Sequence, residues 1–243
     1  MSEREPLNKK QRKQLVKKAR GHFRRDNNQA AISILESPEL AEDGDAMLLL
    51  GQIYNGTTKS CGGISRSIPK ARQYWLKALE LGSIEAAREL TSLYRFEKGN
   101  LKKAEEFWLI AANAGDELAA FKLVDHYYDH CNEKIDKAVE LCHWLIERNE
   151  FVGNGYLTLG RIYYRGKGVP RDVARARHWL QKGAALGHGS SCMDLALMYY
   201  CGDGVEKDVS KAIALVETAG RSEWLKDEAP VIADRMRKGT FFH

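Results

Sequence analysis

The chain has 243 residues, 44% of them hydrophobic, and a formal net charge of +5. This apolar content suffices for an ordered core and excludes an intrinsically disordered chain. No segment has the pattern of a signal peptide or the length of a membrane span. Five cysteines at irregular spacings argue against a disulfide framework and for a reducing environment. We therefore expect a folded cytoplasmic protein.

The first predicted element is basic. Residues 9–25 hold nine Lys or Arg and no acidic residue, so the rest of the chain is net negative. Leu15, Ala19 and Phe23 recur every four residues, which predicts a helix with an apolar stripe beneath its lysines. Two interpretations stay open: a solvated face of a terminal helix, or a surface that attracts nucleic acid or another anionic surface.

Further along, the sequence repeats itself. The pattern Tyr-Tyr-x-Gly-x-Gly-Val-x-x-Asp begins at Tyr163 and again at Tyr199. A fixed period of this length indicates helical units that stack because none buries its apolar face alone. Five units align on a tyrosine that ends a first helix and an alanine in a second helix. These residues are Tyr54, Tyr94, Tyr127, Tyr163 and Tyr199, and Ala71, Ala104, Ala138, Ala176 and Ala212.

Small residues and turn residues define each unit. Gly51, Gly160 and Ala196 share one position in the first helix and should let the second helix approach closely. The Gly-x-Gly-Val segment predicts a turn with glycine conformations, followed by an N-cap at Asp172 or Asp208. Each second helix should then stop at a glycine. These glycines are Gly82, Gly115, Gly187 and Gly220.

Large aromatic residues recur in the second helices. Trp75, Trp108 and Trp179 follow the repeat alanine and are predicted to fill the groove between successive hairpins. Changing any of them to alanine should then cost about 3–5 kcal/mol of stability.

Residues 155–189 carry the repeat in its fullest form, Leu159-Gly160-x-x-Tyr163-x-x-Gly166-x-Gly168-Val169-x-x-Asp172 and then Ala176-x-x-Trp179-x-x-Lys182-x-Ala184-x-x-Gly187. In these residues the chain resembles the Sel1-like repeat family, whose repeats are related to tetratricopeptide repeats. Residues 191–220 match well, the units near Ala46 and Ala86 lack the Gly-x-Gly-Val turn, and residues 118–148 diverge most. The resemblance implies an all-α fold, an α-α superhelix built as a right-handed solenoid of helix-turn-helix repeats.

The same resemblance predicts how the chain is organised. Residues 44–220 are expected to form five Sel1-like repeats. Residues 1–43 supply the basic segment and a tetratricopeptide-like capping hairpin, and residues 221–243 supply a C-terminal capping helix, restarted near Pro230, and a tail. Such terminal segments cover the exposed ends of a solenoid core.

Few residues point to catalysis or metal binding. His126 and His130 are four residues apart and could share a helix face, a spacing that suits zinc, with Cys142 and His143 on the following helix. No complete ligand set is specified, so ordinary histidines are the favoured interpretation. The sequence has no phosphate-binding loop, no dinucleotide fingerprint and no zinc-protease motif. We expect neither an enzyme nor a bound cofactor.

The outward positions of the first helices are the candidate partner-binding surface, because tetratricopeptide geometry places them on the concave face. These residues are Arg88, Arg95, Phe96, Phe121, Asp125, Tyr128, Leu157, Arg161, Tyr164, Arg165, Met193, Leu197 and Tyr200, with Asn55 and Ser92 at equivalent positions. Tyr128, Tyr164 and Tyr200 are one repeat apart each and could form an aromatic ladder for a partner. Alternatively, these rings pack between adjacent first helices.

The resemblance implies a protein–protein interaction scaffold or adaptor that binds a protein or peptide on its concave surface. A regulatory role and an immunity-type or effector-type binder are both compatible with it. We expect a bacterial, cytoplasmic protein that is a monomer and spans no membrane. The alternative is a nucleic-acid or anionic-surface binder that uses residues 9–25.

Overall fold

The computed structural model describes residues 7–56, 64–96 and 99–241, and these ranges contain helices and turns but no strand. The helices are α1 (Lys9–Arg24), α2 (Asn28–Leu35), α3 (Gly44–Asn55), α4 (Ile68–Glu80), α5 (Ile84–Phe96), α6 (Leu101–Asn113), α7 (Glu117–His130), α8 (Ile135–Glu147), α9 (Val152–Arg165), α10 (Val173–Ala185), α11 (Gly189–Cys201), α12 (Val209–Ala219) and α13 (Glu228–Lys238). Among these helices, none is both long enough and apolar enough to cross a membrane.

Two compact units divide the chain, residues 1–116 and residues 117–243. In the first unit α1 packs on α2, α3 on α4 and α5 on α6; in the second, α7 packs on α8, α9 on α10 and α11 on α12. The aligned tyrosines lie near the ends of α3, α5, α7, α9 and α11, and the aligned alanines lie in their partner helices. The predicted all-α architecture of paired helices is therefore confirmed.

The two Gly-x-Gly turns have the predicted backbone. Gly166 and Gly168 both have a φ of 65°, and Gly202 and Gly204 have φ values of 76° and 69°. This left-handed region costs a residue with a Cβ about 1–2 kcal/mol, so glycine is the residue that the turn requires.

The second glycine of each turn also lies against the preceding hairpin. A Cβ added to Gly168 would lie 2.7 Å from the Cβ of Ile135, the first residue of α8. A Cβ added to Gly204 would lie 2.1 Å from Cγ1 of Val173, the first residue of α10. Each turn thus joins its own hairpin to the one before it, for which both the conformation and the small size of glycine are needed.

Helix ends follow the predicted capping, with one exception. The carboxylate of Asp172 accepts a hydrogen bond from the backbone N–H of Arg175, and that of Asp208 from Lys211, at 2.9 and 2.8 Å. Left-handed glycines follow the second helices at Gly82, Gly115 and Gly187. Gly220 instead has a φ of −66°. It must be small because a Cβ there would lie 2.8 Å from Ala229 of α13.

Close approach of the two helices in a hairpin depends on the predicted small residues. A Cβ on Gly51 would lie 2.3 Å from the ring of Trp75, which is 1% exposed. A Cβ on Gly160 would lie 2.7 Å from Leu180, which is also buried. The prediction of close packing at these two glycines is confirmed.

The tryptophans do not all occupy the same place. Trp75 and Trp108 are buried, as predicted, but Trp179 is only half-buried. Trp75 and Trp108 stand four residues after the repeat alanine, whereas Trp179 stands three after it and Leu180 takes the buried position. The Trp179 ring instead stacks on Tyr156, with ring centroids 5.9 Å apart.

The terminal helices pack on their neighbours with slightly different registers from those predicted. On α1 the buried residues are Val16 and Ala19, while Leu15 and Phe23 are half-buried. At the other end, α13 begins at Glu228, so Pro230 lies within its first turn, where no intrahelical bond from its nitrogen is needed.

Candidate functional site

All the candidate partner-binding residues lie on first helices, but their accessibility differs. Arg88, Arg95, Phe96 and Arg165 are exposed. Phe121, Asp125, Arg161, Tyr164, Met193 and Leu197 are half-buried, and Tyr128, Leu157 and Tyr200 are buried. The exposed and half-buried members are accessible to a macromolecular partner without rearrangement of the helices, whereas the buried ones contribute to the core.

The tyrosines of the predicted ladder contact residues that follow them in the chain, from the next hairpin for Tyr128 and Tyr164 and from the segment after α13 for Tyr200. The middle residue of a Gly-x-Gly turn reaches back to the second tyrosine of the preceding repeat. The Lys167 ammonium lies 4.5 Å from the centroid of Tyr128 and donates to the Tyr128 carbonyl. One repeat later, the Tyr164 hydroxyl donates to Oδ2 of Asp203 at 2.6 Å. At the end of the series, the Phe241 ring meets Tyr200 edge-on, with centroids 5.6 Å apart.

This packing leaves Tyr128 and Tyr200 only 9% and 8% exposed. Burial also raises the pKa of the Tyr128 hydroxyl, which has no hydrogen-bond partner among the described residues. Sequence alone did not indicate the partners Lys167 and Asp203, although both stand at the same variable position of the turn. Recognition of a partner by these rings stays a prediction, and Tyr164 is the most accessible of the three.

The bond between Tyr164 and Asp203 should make stability depend on pH. The Tyr164 hydroxyl, with Arg171 as a weaker contributor, holds the pKa of the Asp203 carboxyl below its ordinary value. A lowered folded-state pKa stabilises the protein above the ordinary value of about 3.9, and this stabilisation is lost as the pH falls through the folded pKa. Tyr164→Phe should therefore cost about 1 kcal/mol at pH 6 and progressively less below pH 4.

Urea unfolding of the wild type and Tyr164→Phe between pH 7 and pH 3.5 measures this difference. Tyr163→Phe is the matched control, because the Tyr163 ring faces the Arg175 guanidinium at 5.5 Å and no carboxylate bond to its hydroxyl is described. A cost of Tyr164→Phe that is constant with pH would contradict the prediction.

A cleft of about 180 Å³ opens between α9 and α11, and we call it the α9–α11 cleft. It is lined by Arg161, Tyr164, Arg165, Leu180, Asp194, Leu197 and Met198. Its apolar residues come from α10 and α11, and its arginines come from α9. Four of its lining residues, Arg161, Tyr164, Arg165 and Leu197, were predicted to bind a partner; Leu180, Asp194 and Met198 were not anticipated.

A second cleft, of about 170 Å³, lies between α3 and α5 and is called the α3–α5 cleft. It is lined by Asn55, Arg66, Trp75, Glu89, Ser92, Leu93 and Phe96. Aligned on the repeat tyrosine and alanine, Trp75 corresponds to Leu180, Glu89 to Asp194 and Leu93 to Met198. The same repeat positions thus form a recess in each compact unit.

A polar bond between successive first helices forms one wall of each cleft. Nε of Arg161 donates to Oδ2 of Asp194 at 2.6 Å, and a second guanidinium nitrogen lies 3.2 Å from Oδ1. At the equivalent positions, Nε2 of Gln52 donates to Oε1 of Glu89 at 2.9 Å. In both bonds the carboxylate stands five residues before the repeat tyrosine of its own unit. The donor stands two residues before the repeat tyrosine of an earlier unit, so an alignment of the repeats could have indicated the pair.

Other predicted residues have partners within their own unit. Arg88 forms an ion pair with Asp116, whose side chain is almost fully buried. The Phe121 ring stacks on Phe151, with centroids 4.9 Å apart. By contrast, Phe96 is 75% exposed at the end of α5, and Arg95 lies 5.0 Å from its centroid. Phe96 is therefore the most accessible of the predicted aromatic residues.

The histidines considered for zinc occupy different environments. His126 is buried and His130 is exposed, with their ring centroids 5.6 Å apart. Nε2 of His126 lies 3.6 Å from Sγ of Cys131. Burial raises the pKa of the Cys142 thiol, which favours the neutral thiol over the thiolate that binds metals. Cys142 is accordingly a core residue.

The basic surface of α1 is continuous. Lys9, Lys10, Lys13 and Lys17 line one shallow region together with Gln14. Within the described residues, none of these lysines forms an ion pair with a carboxylate. The helix therefore presents uncompensated positive charge to solvent.

Comparison with known proteins identifies the repeat. A family model described as the Sel1 repeat matches residues 44–83, 91–116, 156–188 and 189–222. No curated protein sequence matches the chain.

Two solved structures have a similar fold. A Sel1 repeat protein from Oxalobacter formigenes is 22% identical with a TM-score of 0.65, over 85% of this chain and 84% of that one. A protective antigen present in uropathogenic Escherichia coli strains, which displays an SLR fold, is 23% identical with a TM-score of 0.65, over 92% of this chain and 49% of that one. At these identities the similarity shows the fold alone.

Proposed function

The chain belongs to the Sel1 repeat family, and from that membership we propose that it is an adaptor that binds a protein or peptide along its first helices. Sel1 repeat proteins generally act as protein–protein interaction scaffolds and are typically non-catalytic. The observation that carries the proposal is the recess that the same repeat positions form on the first helices of both units. Concave apolar sites rimmed by arginine and aromatic residues are typical of recognition surfaces.

The candidate residues contribute to binding in different ways. Arg165, Arg95 and Phe96 are exposed and can contact a partner directly, and arginine and aromatic residues are enriched in interface hot spots. Arg161 is bound to Asp194 and therefore shapes the cleft wall. Replacing Arg161 or Tyr164 would also remove a bond between repeats, so exposed residues give the cleaner test.

Capture from the native cytoplasm, followed by mass spectrometry, tests the proposal. We expect Arg165→Glu and Phe96→Ala each to reduce capture of the specific partner at least fivefold, because each removes an exposed contact on a first helix. The matched controls are Arg221→Glu and Leu76→Ala, which alter an exposed arginine and an exposed leucine away from the first helices. If all four folded variants capture the partner equally well, the proposal is wrong.

We also propose a bacterial, cytoplasmic and monomeric protein. The two similar structures come from bacteria. Cys142, Cys192 and Cys201 are free thiols, whereas Cys61 lies outside the described residues. Free thiols are typical of proteins in a reducing compartment.

The second candidate function is binding of nucleic acid or another anionic surface by α1. The uncompensated lysines described above favour it, since phosphate contacts by several lysines dominate such binding. Affinity for a 20-base-pair DNA duplex should then fall steeply between 50 and 200 mM salt, by about 10²-fold for four contacts. Binding that is independent of salt, or unchanged when Lys9, Lys13 and Lys17 become glutamine, would exclude this function.

A further inference from the structure

The α9–α11 cleft combines an apolar floor with an unequal charge. Leu180, Leu197 and Met198 supply the apolar side chains. The Asp194 carboxylate is already bound by Arg161, so the second arginine, Arg165, gives the cleft an excess positive charge. Arg165 is exposed, lies 5.8 Å from the Tyr128 ring and has no carboxylate partner among the described residues.

The α3–α5 cleft provides a natural comparison. Its volume is similar, and its buried apolar lining residues are Trp75 and Leu93. Gln52 stands where the other cleft has Arg161, and the two charged residues that line it, Arg66 and Glu89, balance each other. The two clefts therefore have similar volumes and share repeat positions, but they differ in net charge.

The size of both clefts suits one aromatic ring. Their volumes are about 180 and 170 Å³, and an apolar cavity of about 150 Å³ holds a benzene molecule. The charge adds a second requirement in the α9–α11 cleft, because a carboxylate next to the ring would lie within reach of Arg165 without displacing Asp194 from Arg161.

We propose that the α9–α11 cleft binds an aromatic side chain of a peptide segment in which an acidic residue adjoins that aromatic residue. The ring packs against Leu197, the half-buried apolar residue of the lining, and the acidic side chain pairs with Arg165. This inference rests on the proposed function and specifies the chemistry of the bound segment. The α3–α5 cleft accepts an aromatic side chain without a preference for a neighbouring carboxylate.

The probes are three capped dipeptides, N-acetyl-Phe-Glu-amide, N-acetyl-Phe-Gln-amide and N-acetyl-Ala-Glu-amide, titrated into the full chain at millimolar concentrations. Methyl NMR should show saturable shifts of Leu197 and Met198 with Phe-Glu. Binding of Phe-Gln at this cleft should be about threefold weaker, the size expected of an exposed ion pair. Ala-Glu should cause no saturable shift. Methyl shifts of Leu93 should be similar with Phe-Glu and Phe-Gln.

Three variants test the assignment of roles. Arg165→Gln should erase the difference between Phe-Glu and Phe-Gln, whereas the matched control Arg221→Gln should preserve it. Leu197→Trp should abolish the shift of Met198 because the new ring fills the cleft, and far-UV circular dichroism verifies that this variant folds. Equal affinity of Phe-Glu and Phe-Gln for the wild type, a difference that survives in Arg165→Gln, or shifts confined to other surfaces would each overturn the inference.

The capture experiment separates this inference from the function on which it rests. If partner capture depends on Arg165 and Phe96 while the dipeptides do not enter the cleft, the adaptor function stands and the inferred ligand chemistry is wrong. If partner capture is unchanged by substitution of both residues, the proposed adaptor function itself is wrong.

Discussion

Trp75→Ala is expected to lower the free energy of unfolding of residues 1–116 by about 3–5 kcal/mol. The Trp75 ring is 1% exposed and lies directly against Gly51, which has no side chain that could move into the space. The variant therefore loses the buried area of the ring and retains most of the cavity. The α3–α5 cleft would also lose the part of its lining that the Trp75 ring provides.

Urea unfolding followed by far-UV circular dichroism measures this cost without relying on tryptophan fluorescence. Trp224→Ala is the matched control, since Trp224 is 91% exposed and its removal should change stability by less than about 0.5 kcal/mol. Trp179→Ala should fall between the two, because Trp179 is half-buried. Similar costs for all three tryptophans would contradict the assigned packing.

Gly204→Ala is expected to destabilise residues 117–243 by about 3 kcal/mol. The left-handed φ of 69° costs alanine about 1–2 kcal/mol, and the contact with Val173 adds an overpacking cost of about 1–3 kcal/mol. Gly187→Ala isolates the first cost, because Gly187 has a φ of 73° and no atom within 4 Å of its added Cβ. It should destabilise by about 1 kcal/mol.

A double-mutant cycle separates the two contributions. Val173→Ala removes the Cγ1 atom that an alanine at position 204 would meet, so Gly204→Ala should cost less in that background. The measurement is the midpoint of urea unfolding for the four combinations. If Gly204→Ala costs the same with valine or alanine at position 173, the contact contributes nothing and only the backbone conformation matters.

The hairpins and turns follow from local chemistry and could be predicted. Glycine in a left-handed turn and aspartate at an N-cap act within a few residues, as Gly202 and Asp208 show. The position of Trp179 could not be assigned from residue type alone, since the offset from the repeat alanine decides which side chain is buried. Aligning the repeats on Ala176 would have shown that Trp179 stands one residue before the buried position.

The candidate site was only partly predictable because its contacts join residues more than 30 positions apart. The sequence places Tyr164 and Arg161 on a first helix. The helical pattern is the same whether these side chains point to solvent or bond to the next repeat. The structure shows bonds from Tyr164 to Asp203 and from Arg161 to Asp194. Their partners become visible only when two hairpins are placed side by side.

The variable residue of each Gly-x-Gly turn makes the order of the repeats chemically specific. Lys167 presents a cation to the face of Tyr128, whereas Asp203 presents an anion to the hydroxyl of Tyr164. Removing residues 164–199 would bring Asp203 to the place of Lys167, where a carboxylate meets the electron-rich face of an aromatic ring. Neighbouring repeats in this chain are therefore not interchangeable modules, although their backbones are alike.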